Sequence, residues 1–173
     1  MTPKTLLIVY HSMTGGTRQM AEAAQAGAAE EGGVTVRLLH AAQAGPDDVL
    51  AADGYLFATP ENLAAISGQL KDFFDRCYYP ALDRINGRPY ACLICAGSDG
   101  QNAVRQIERI ATGWRLKPVA EPIDLDDAVA RARFLYWLED GSERQTRARQ
   151  WLSEHLATAD GRIAMPARVE YTS

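Results

Sequence analysis

The sequence predicts an α/β protein built on one doubly wound parallel sheet of five strands. Apolar runs of strand length alternate with segments whose apolar residues recur at helical spacing, through nearly the whole chain. The runs LLIV, YLFA and ACLICA are apolar on both faces, as central strands of a covered parallel sheet must be. The second strand alternates in polarity and the fifth contains two prolines, so both are predicted at the edges, which matches the spatial order 2-1-3-4-5.

Each predicted strand is an apolar or β-branched run bounded by turn-forming residues. In chain order, the strands are expected at residues 5–10, 34–39, 54–59, 90–96 and 116–123. The first helix is expected from Gly16 to about residue 31, because Gly32 and Gly33 provide a C-terminal cap.

Four further helices are predicted from apolar stripes at helical spacing. One begins near Gly68, and the other three span residues 104–114, 125–136 and 148–156. We find no internal repeat, low-complexity segment or linker. Residues 1–173 are therefore expected to form one domain, with residues 160–173 as an extended tail.

The composition argues against several classes of partner. With a net charge of -4, 47% hydrophobic and 23% charged residues, the chain has no broad basic surface for nucleic acid. No apolar run reaches the roughly 18 residues of a membrane-spanning helix, and the first residues lead into a strand rather than a signal peptide. We therefore expect a cytoplasmic protein that binds neither nucleic acid nor membrane.

The cysteines and histidines do not form a recognisable metal or disulfide pattern. Three cysteines without an export signal predict reduced thiols. Cys92 and Cys95 have CxxC spacing, but residues three apart on a strand point to opposite faces, so both are interpreted as buried core cysteines. No two histidines have metal-ligand spacing, and no metal is predicted.

Three loops are predicted to converge at the carboxyl ends of the strands, where open parallel sheets bind ligands. They are HSMTGGTR after the first strand, TPENLAAISG after the third and AGSDGQNA after the fourth. The first loop opens a helix, so its free N–H groups and the helix dipole favour an anion. Hydroxyl donors from Ser12, Thr14 and Thr17, with Gly15 and Gly16 for close backbone approach, suit a phosphate group.

The first loop lacks the residues that several other classes of phosphate-binding or phosphate-transferring site require. It has neither the GxxxxGK[ST] pattern of nucleotide triphosphatases nor the GxGxxG pattern of dinucleotide sites. It contains no nucleophilic cysteine, and Thr59 stands where a receiver domain would need an aspartate. The remaining interpretation is a loop that holds a phosphate without transferring it.

Residues 12–17 resemble the [TS]-x-T-G-x-T phosphate loop of the flavodoxin-like superfamily. Residues 58–76 are similar to the isoalloxazine-contacting loop and helix of NAD(P)H-dependent quinone and FMN reductases, and the resemblance extends to about residue 123. It implies a flavodoxin-like three-layer sandwich that binds FMN. The implied phosphate residues are Ser12, Met13, Thr14, Gly15, Gly16 and Thr17; Pro60, Glu61, Asn62 and Leu63 border the ring, with Gly97, Ser98, Asp99 and Gly100 on its other side.

A simpler interpretation of AGSDGQNA stays open, namely a turn in which Ser98 or Asp99 caps the next helix. The role of a bound flavin is open as well. Flavodoxins that carry electrons resemble one another in covering the ring with aromatic side chains and in being strongly acidic. Neither TPENLAAISG nor AGSDGQNA contains an aromatic residue, which favours an enzyme.

The favoured interpretation is an oxidoreductase that passes electrons from NAD(P)H through FMN to a quinone or flavin acceptor. Such a cycle requires no protein acid or base, so no catalytic residue is assigned; Glu61 and Asp99 are the nearest candidates for helpers. An electron carrier and a non-catalytic binding or regulatory domain are the alternatives. A homo-oligomer, in which a neighbouring subunit supplies an aromatic side chain, is also compatible with the sequence.

Overall fold

The computed structural model describes residues 3–30, 33–96 and 100–119. Six strands and four helices lie in these ranges. The strands are β1 (Lys4–Tyr10), β2 (Val34–His40), β3 (Gly54–Asn62), β4 (Ala65–Ile66), β5 (Pro89–Cys95) and β6 (Lys117–Pro118). The helices are α1 (Gly16–Glu30), α2 (Pro46–Ala51), α3 (Gly68–Ala81) and α4 (Gln101–Gly113).

The main sheet is parallel and has the order β2-β1-β3-β5-β6, while β4 pairs antiparallel with the end of β3. Without the short β4, this is the predicted order 2-1-3-4-5. The prediction that the second and fifth strands lie at the edges is confirmed for the described part of the sheet. Each crossover between neighbouring parallel strands passes through a helix, as this topology requires.

The core has two clusters, one on each face of the sheet. Leu6 and Ile8 of β1 pack with α1 on one face, whereas Leu7 and Val9 pack with α2, α3 and α4 on the other. Because β1, β3 and β5 are covered on both faces in this way, their buried stretches at residues 6–9, 55–58 and 90–94 are all apolar. The structure thus has the helix–sheet–helix layers of the predicted sandwich.

The helix α2 was not predicted from the sequence. It has only six residues, which is too short to show a helical period. Pro46 occupies its first turn, and the Asp48 carboxylate accepts a hydrogen bond of 2.9 Å from the Gly45 N–H. At its other end, Arg88 Nη1 donates to the carbonyls of Leu50 and Ala52. These last carbonyls have no N–H partner within the helix, so Arg88 provides the missing donor.

Other boundaries differ slightly from the predicted ones. β3 continues past Thr59 to Asn62 because its last residues turn back and pair with β4. Of the predicted fifth strand, only Lys117 and Pro118 are paired among the described residues. The helices predicted at 125–136 and 148–156, and the tail at 160–173, lie outside the described residues, so the extent of the domain there stays a prediction. Within the described ranges, no helix is long and apolar enough to cross a membrane.

Candidate functional site

The loops after β1, β3 and β5 leave the same edge of the sheet. Tyr10 is in register with Ala58, and Pro60 is in register with Cys95, so these strands end side by side. The His11 N–H, one residue beyond the end of β1, still donates to the Ala58 carbonyl of β3 at 3.1 Å. The loop that follows therefore begins directly above β1.

The first loop forms a turn that exposes the amino end of α1. The Gly15 N–H donates to Ser12 Oγ at 3.0 Å, and the Gly15 carbonyl accepts the N–H of Gln19 at 3.0 Å. Gly15 has a φ of 102°, which is a left-handed conformation that favours glycine. Since α1 begins at Gly16, the N–H groups of Gly16, Thr17 and Arg18 have no acceptor within the helix and are available to an anion.

The hydroxyls of this loop lie at different depths. Thr14 is exposed, Ser12 is half-buried, and Thr17 is only 1% exposed. The Cys95 sulfur lies beneath the loop, where a Cβ added to Gly16 would come within 2.9 Å of it. Ser12 and Thr14 thus line the open side of the loop, and Thr17 lies at its floor.

The loop after β3 is a β-hairpin with a two-residue turn. Glu61 pairs with Ile66 and Asn62 with Ala65, so Leu63 and Ala64 form the turn. Their φ values are 51° and 60°, the left-handed pair that such tight hairpins require and that Asn-Gly usually supplies. Leu63 is fully exposed at the tip, so an apolar side chain projects from a strained backbone.

Buried hydroxyls hold the base of this hairpin. Thr59 is fully buried, and its hydroxyl donates to the Pro60 carbonyl at 2.9 Å and accepts the Ser67 N–H at 3.0 Å. Ser67 Oγ accepts the N–H of Leu70 at 3.3 Å and so caps α3. The hairpin and the start of α3 are therefore joined at one point.

The other side of the hairpin is bonded to α4 by three side chains. Glu61 Oε2 accepts the Ala103 N–H at 2.8 Å, and Gln106 Oε1 accepts the Ile66 N–H at 3.1 Å. The Asn102 amide donates to the Ala64 carbonyl in the turn. Gly100, the N-cap residue of α4, provides no side-chain cap, so the Glu61 carboxylate supplies an acceptor to the first turn of this helix.

The structure brings most of the predicted site residues to one edge. Ser12, Met13, Thr14, Gly15, Gly16 and Thr17 form the first loop, Pro60, Glu61, Asn62 and Leu63 form the hairpin arm, and Gly100 precedes α4. Gly97, Ser98 and Asp99 lie outside the described residues, as does the alternative that Ser98 or Asp99 caps α4. The roles of all these residues toward a ligand stay predictions.

Sequence reasoning did not identify four residues that shape the site: Thr59, Cys95, Asn102 and Gln106. Cys92 is buried as expected, but Cys95 is half-buried and lies on the other face, next to the first loop. The expectation of opposite faces is confirmed, whereas the expectation that Cys95 is a fully buried core residue is wrong. Its place at the end of the predicted fourth strand, directly before AGSDGQNA, was the sequence signal that could have placed it near the site.

The titratable groups nearest the first loop favour their neutral forms. Burial, and secondarily the neighbouring His40, lower the pKa of His11; the two rings are 5.5 Å apart. Burial raises the pKa of the Cys95 thiol, and the hydrogen bond from Thr17 opposes this shift. In the described ranges, no three His, Cys, Asp or Glu side chains are arranged to hold a metal ion.

These features fit a bound phosphate ester. The free N–H groups at the start of α1, the left-handed Gly15 and the hydroxyls of Ser12 and Thr14 provide neutral donors around an open space. Arg18 is the cation within the first turn, and its Nε lies 3.7 Å from Glu22 Oε1 on the exposed face. The loop therefore presents neutral donors suited to a dianion, and it contains no cysteine or lysine.

Comparisons with known proteins agree with this geometry. The family described as NADPH-dependent FMN reductase matches residues 42–123. The flavodoxin of Aquifex aeolicus (strain VF5) is 35% identical over 55% of this chain and 51% of its own length. The NAD(P)H dehydrogenase (quinone) of Acidithiobacillus ferrooxidans is 33% identical over 41% of this chain and 46% of its own length. The chain thus spans about half the length of the curated relatives it matches.

Solved structures share the fold over most of the chain. A Streptococcus pneumonia TIGR4 flavodoxin has a TM-score of 0.63 at 21% identity, covering 87% of this chain and 96% of its own. A flavodoxin, WrbA-like protein from Agrobacterium tumefaciens has a TM-score of 0.60 at 20% identity, covering 87% and 94%. With the strand order and the layers, these similarities show that the chain has a flavodoxin-like fold.

Proposed function

We propose that the protein binds FMN at the carboxyl edge of its sheet and passes electrons from NAD(P)H to a quinone or flavin acceptor. The observation that carries the proposal is the first loop, where the amino end of α1 and neutral hydroxyls offer donors suited to a phosphate, without a lysine or a cysteine. The matching family is described as NADPH-dependent FMN reductase, and one relative is named NAD(P)H dehydrogenase (quinone). Both names support an enzyme.

FMN would supply the redox chemistry, since its ring accepts a hydride and releases electrons to a second substrate. The protein's own residues would bind and orient. The first-turn N–H groups of α1 and the hydroxyls of Ser12, Thr14 and Thr17 would hold the phosphate. The hairpin of Pro60, Glu61, Asn62 and Leu63, fixed to α4, would border the ring.

The decisive test is a titration of the purified chain with FMN, followed by absorbance and fluorescence, and then steady-state oxidation of NADH and NADPH. We expect saturable 1:1 binding and turnover of at least one nicotinamide with a quinone or free FMN as acceptor. Riboflavin, which lacks the phosphate, is the matched ligand and should bind more weakly. A chain that binds no FMN would refute the redox function, and one that binds FMN without turnover would refute the enzyme.

An electron carrier is the second candidate, and the relative named flavodoxin supports it. Neither residues 12–17 nor the hairpin arm contains an aromatic side chain that could cover the ring, which favours the enzyme. Photoreduction of the FMN-loaded protein separates the two. A carrier accumulates the one-electron-reduced flavin, whereas the proposed enzyme passes directly to the two-electron-reduced state.

Three further sequence predictions belong to this proposal. A non-catalytic binding or regulatory domain is the third candidate, and it predicts no flavin band after reconstitution with FMN.

A cytoplasmic location is proposed for either redox role. A homo-oligomer is compatible with the exposed Tyr79 and Leu63, and light scattering at several protein concentrations would measure it.

A further inference from the structure

We propose that Arg105 and Arg109 of α4 bind the 2′-phosphate of NADPH and so make NADPH, rather than NADH, the preferred electron donor. This inference rests on the proposed function and names the residues that select the donor. NADPH differs from NADH by one phosphate ester on the adenosine ribose. A preference between the two must therefore come from groups that recognise this dianion.

Arg105 and Arg109 differ from most cationic side chains of the described ranges because they have no partner there. Six other cations form ion pairs, and Arg84 and Arg88 donate to backbone carbonyls. Arg105 and Arg109 are exposed and form neither a hydrogen bond nor an ion pair with any described residue. Lys117 is similar in this respect, but it lies on the edge strand β6.

The two arginines form one stripe on α4. They are four residues apart, so their side chains are neighbours on the surface of the helix. The buried face, with Val104, Ile107 and Ala111, is on the opposite side of the helix. Like charges at this spacing destabilise a helix, so the stripe contributes nothing to the stability of α4. Its two charges are available to an anion.

The arginine stripe lies beside the hairpin that is proposed to border the flavin. Arg105 is three residues after Asn102, which bonds the hairpin turn, and Arg109 is three residues after Gln106, which bonds β4 at 3.1 Å. Residues three apart on a helix are neighbours, so each arginine is next to a side chain that holds the hairpin. With a rise of about 1.5 Å per residue, the two arginines are about 5 and 10 Å along the axis from Asn102. The proposal places the nicotinamide at the flavin and the rest of the dinucleotide across the hairpin, toward α4.

Arginine is chemically suited to this phosphate. The guanidinium group is planar, offers paired N–H donors that match two phosphate oxygens, and keeps its charge at neutral pH. Glu108 lies between the two arginines in the sequence but pairs with neither. The whole chain has a net charge of -4, so a positive stripe beside the site also reduces the repulsion of an anionic substrate.

The first test compares the two nicotinamides as donors to the FMN-loaded protein, in wild type, Arg105→Gln/Arg109→Gln and Arg105→Lys/Arg109→Lys. We expect wild type to have a kcat/KM for NADPH about tenfold above that for NADH, which is the scale of charge-assisted contacts at an exposed site. The glutamine variant should lose most of this preference through a higher KM for NADPH. Its kcat/KM for NADH should fall by less than about twofold. The lysine variant should be intermediate, because an ammonium group keeps the charge but not the paired donors.

Calorimetric titration with NADP⁺ and NAD⁺ separates binding from turnover. The dissociation constant of NADP⁺ should rise in the glutamine variant by the same factor as the KM for NADPH, and that of NAD⁺ should not change. Lys117→Gln is the matched control, because it removes an exposed cation that also has no partner but lies outside the stripe. It should leave the ratio of the two affinities unchanged. In wild type, added NaCl should reduce the preference for NADPH, because salt screens exposed charges.

The outcomes separate the two claims. Wild type that oxidises neither nicotinamide would refute the proposed function, and the role of the arginines with it. Wild type that oxidises both equally well would refute only the role of the arginines, as would a preference for NADPH that survives in the glutamine variant. Urea unfolding establishes that each variant is folded. Should the double variants fail to fold, the single variants Arg105→Gln and Arg109→Gln decide the question, together with the salt dependence of wild type; a preference that NaCl leaves unchanged overturns the proposal.

Discussion

Glu61 tests whether the hairpin and α4 form one unit. Its carboxylate accepts the Ala103 N–H at 2.8 Å, and Gly100 supplies no cap to the same helix end. We therefore predict that Glu61→Ala destabilises the protein even without a ligand. A solvated carboxylate on a loop, or a helper that acts only during turnover, would have no such effect.

The magnitude follows from the bond that is lost. A hydrogen bond from a backbone N–H to a charged acceptor contributes about 1.5–3 kcal/mol. The negative charge at a helix amino end adds about 0.3–1 kcal/mol, which Glu61→Gln loses while it keeps an acceptor oxygen. We expect Glu61→Ala to lower the free energy of unfolding by about 2–3 kcal/mol, and Glu61→Gln by about 1 kcal/mol.

Urea unfolding of the apo-protein, followed by circular dichroism, measures both values. Glu30→Ala, which removes an exposed carboxylate from the end of α1, is the control and should change the free energy of unfolding by less than about 0.5 kcal/mol. If Glu61→Ala were as stable as this control, the bond to α4 would not stabilise the fold. The carboxylate would then be free for a role in the reaction.

Four further predictions concern other contacts. Gly15→Ala should weaken FMN binding and cost about 1–2 kcal/mol in unfolding, because an alanine is strained at a φ of 102°. Arg88→Met should cost roughly 1.5–3 kcal/mol in urea unfolding, because the carbonyls at the end of α2 lose a charged donor. Hydrogen bonds from Lys4 and from the Thr5 N–H lower the pKa of Asp53. The ionised carboxylate therefore stabilises the folded protein above the pKa it has in the unfolded chain, and this contribution is lost as pH falls. The difference in unfolding free energy between wild type and Asp53→Asn should shrink from about pH 5 to pH 2. The pKa of His11 is lowered, so its NMR titration should fall below that of a free histidine. His40→Ala should restore the His11 pKa only in part, because burial is the larger cause of the shift.

The sheet could be predicted because its chemistry is simple. Central strands covered on both faces admit few polar residues, so LLIV, YLFA and ACLICA could be placed inside, and the prolines after Leu116 could be placed at an edge. The first loop could be predicted for a similar reason, since a strand, a glycine pair and a helix in succession define an amino end. These features are local in sequence.

The rest depends on contacts between distant residues or on unusual backbone. The turn of Leu63 and Ala64 adopts a conformation that neither residue favours alone, so the hairpin has no sequence signal. It is held by Asn102 and Gln106, some 40 positions later in the chain. The Cys95 sulfur lies beneath Gly16, and no period or motif in the sequence connects these two distant residues.

The hairpin has a consequence for how the site can change by mutation. An insertion or deletion near its turn would shift the pairing of Glu61 with Ile66 and pull the carboxylate away from α4, so the length of this loop is constrained. The side chain of Leu63 is fully exposed, so it does not contribute to the contacts that fix the hairpin against α4. Selection can therefore vary the chemistry at the tip, one residue at a time, while the backbone that presents it remains the same.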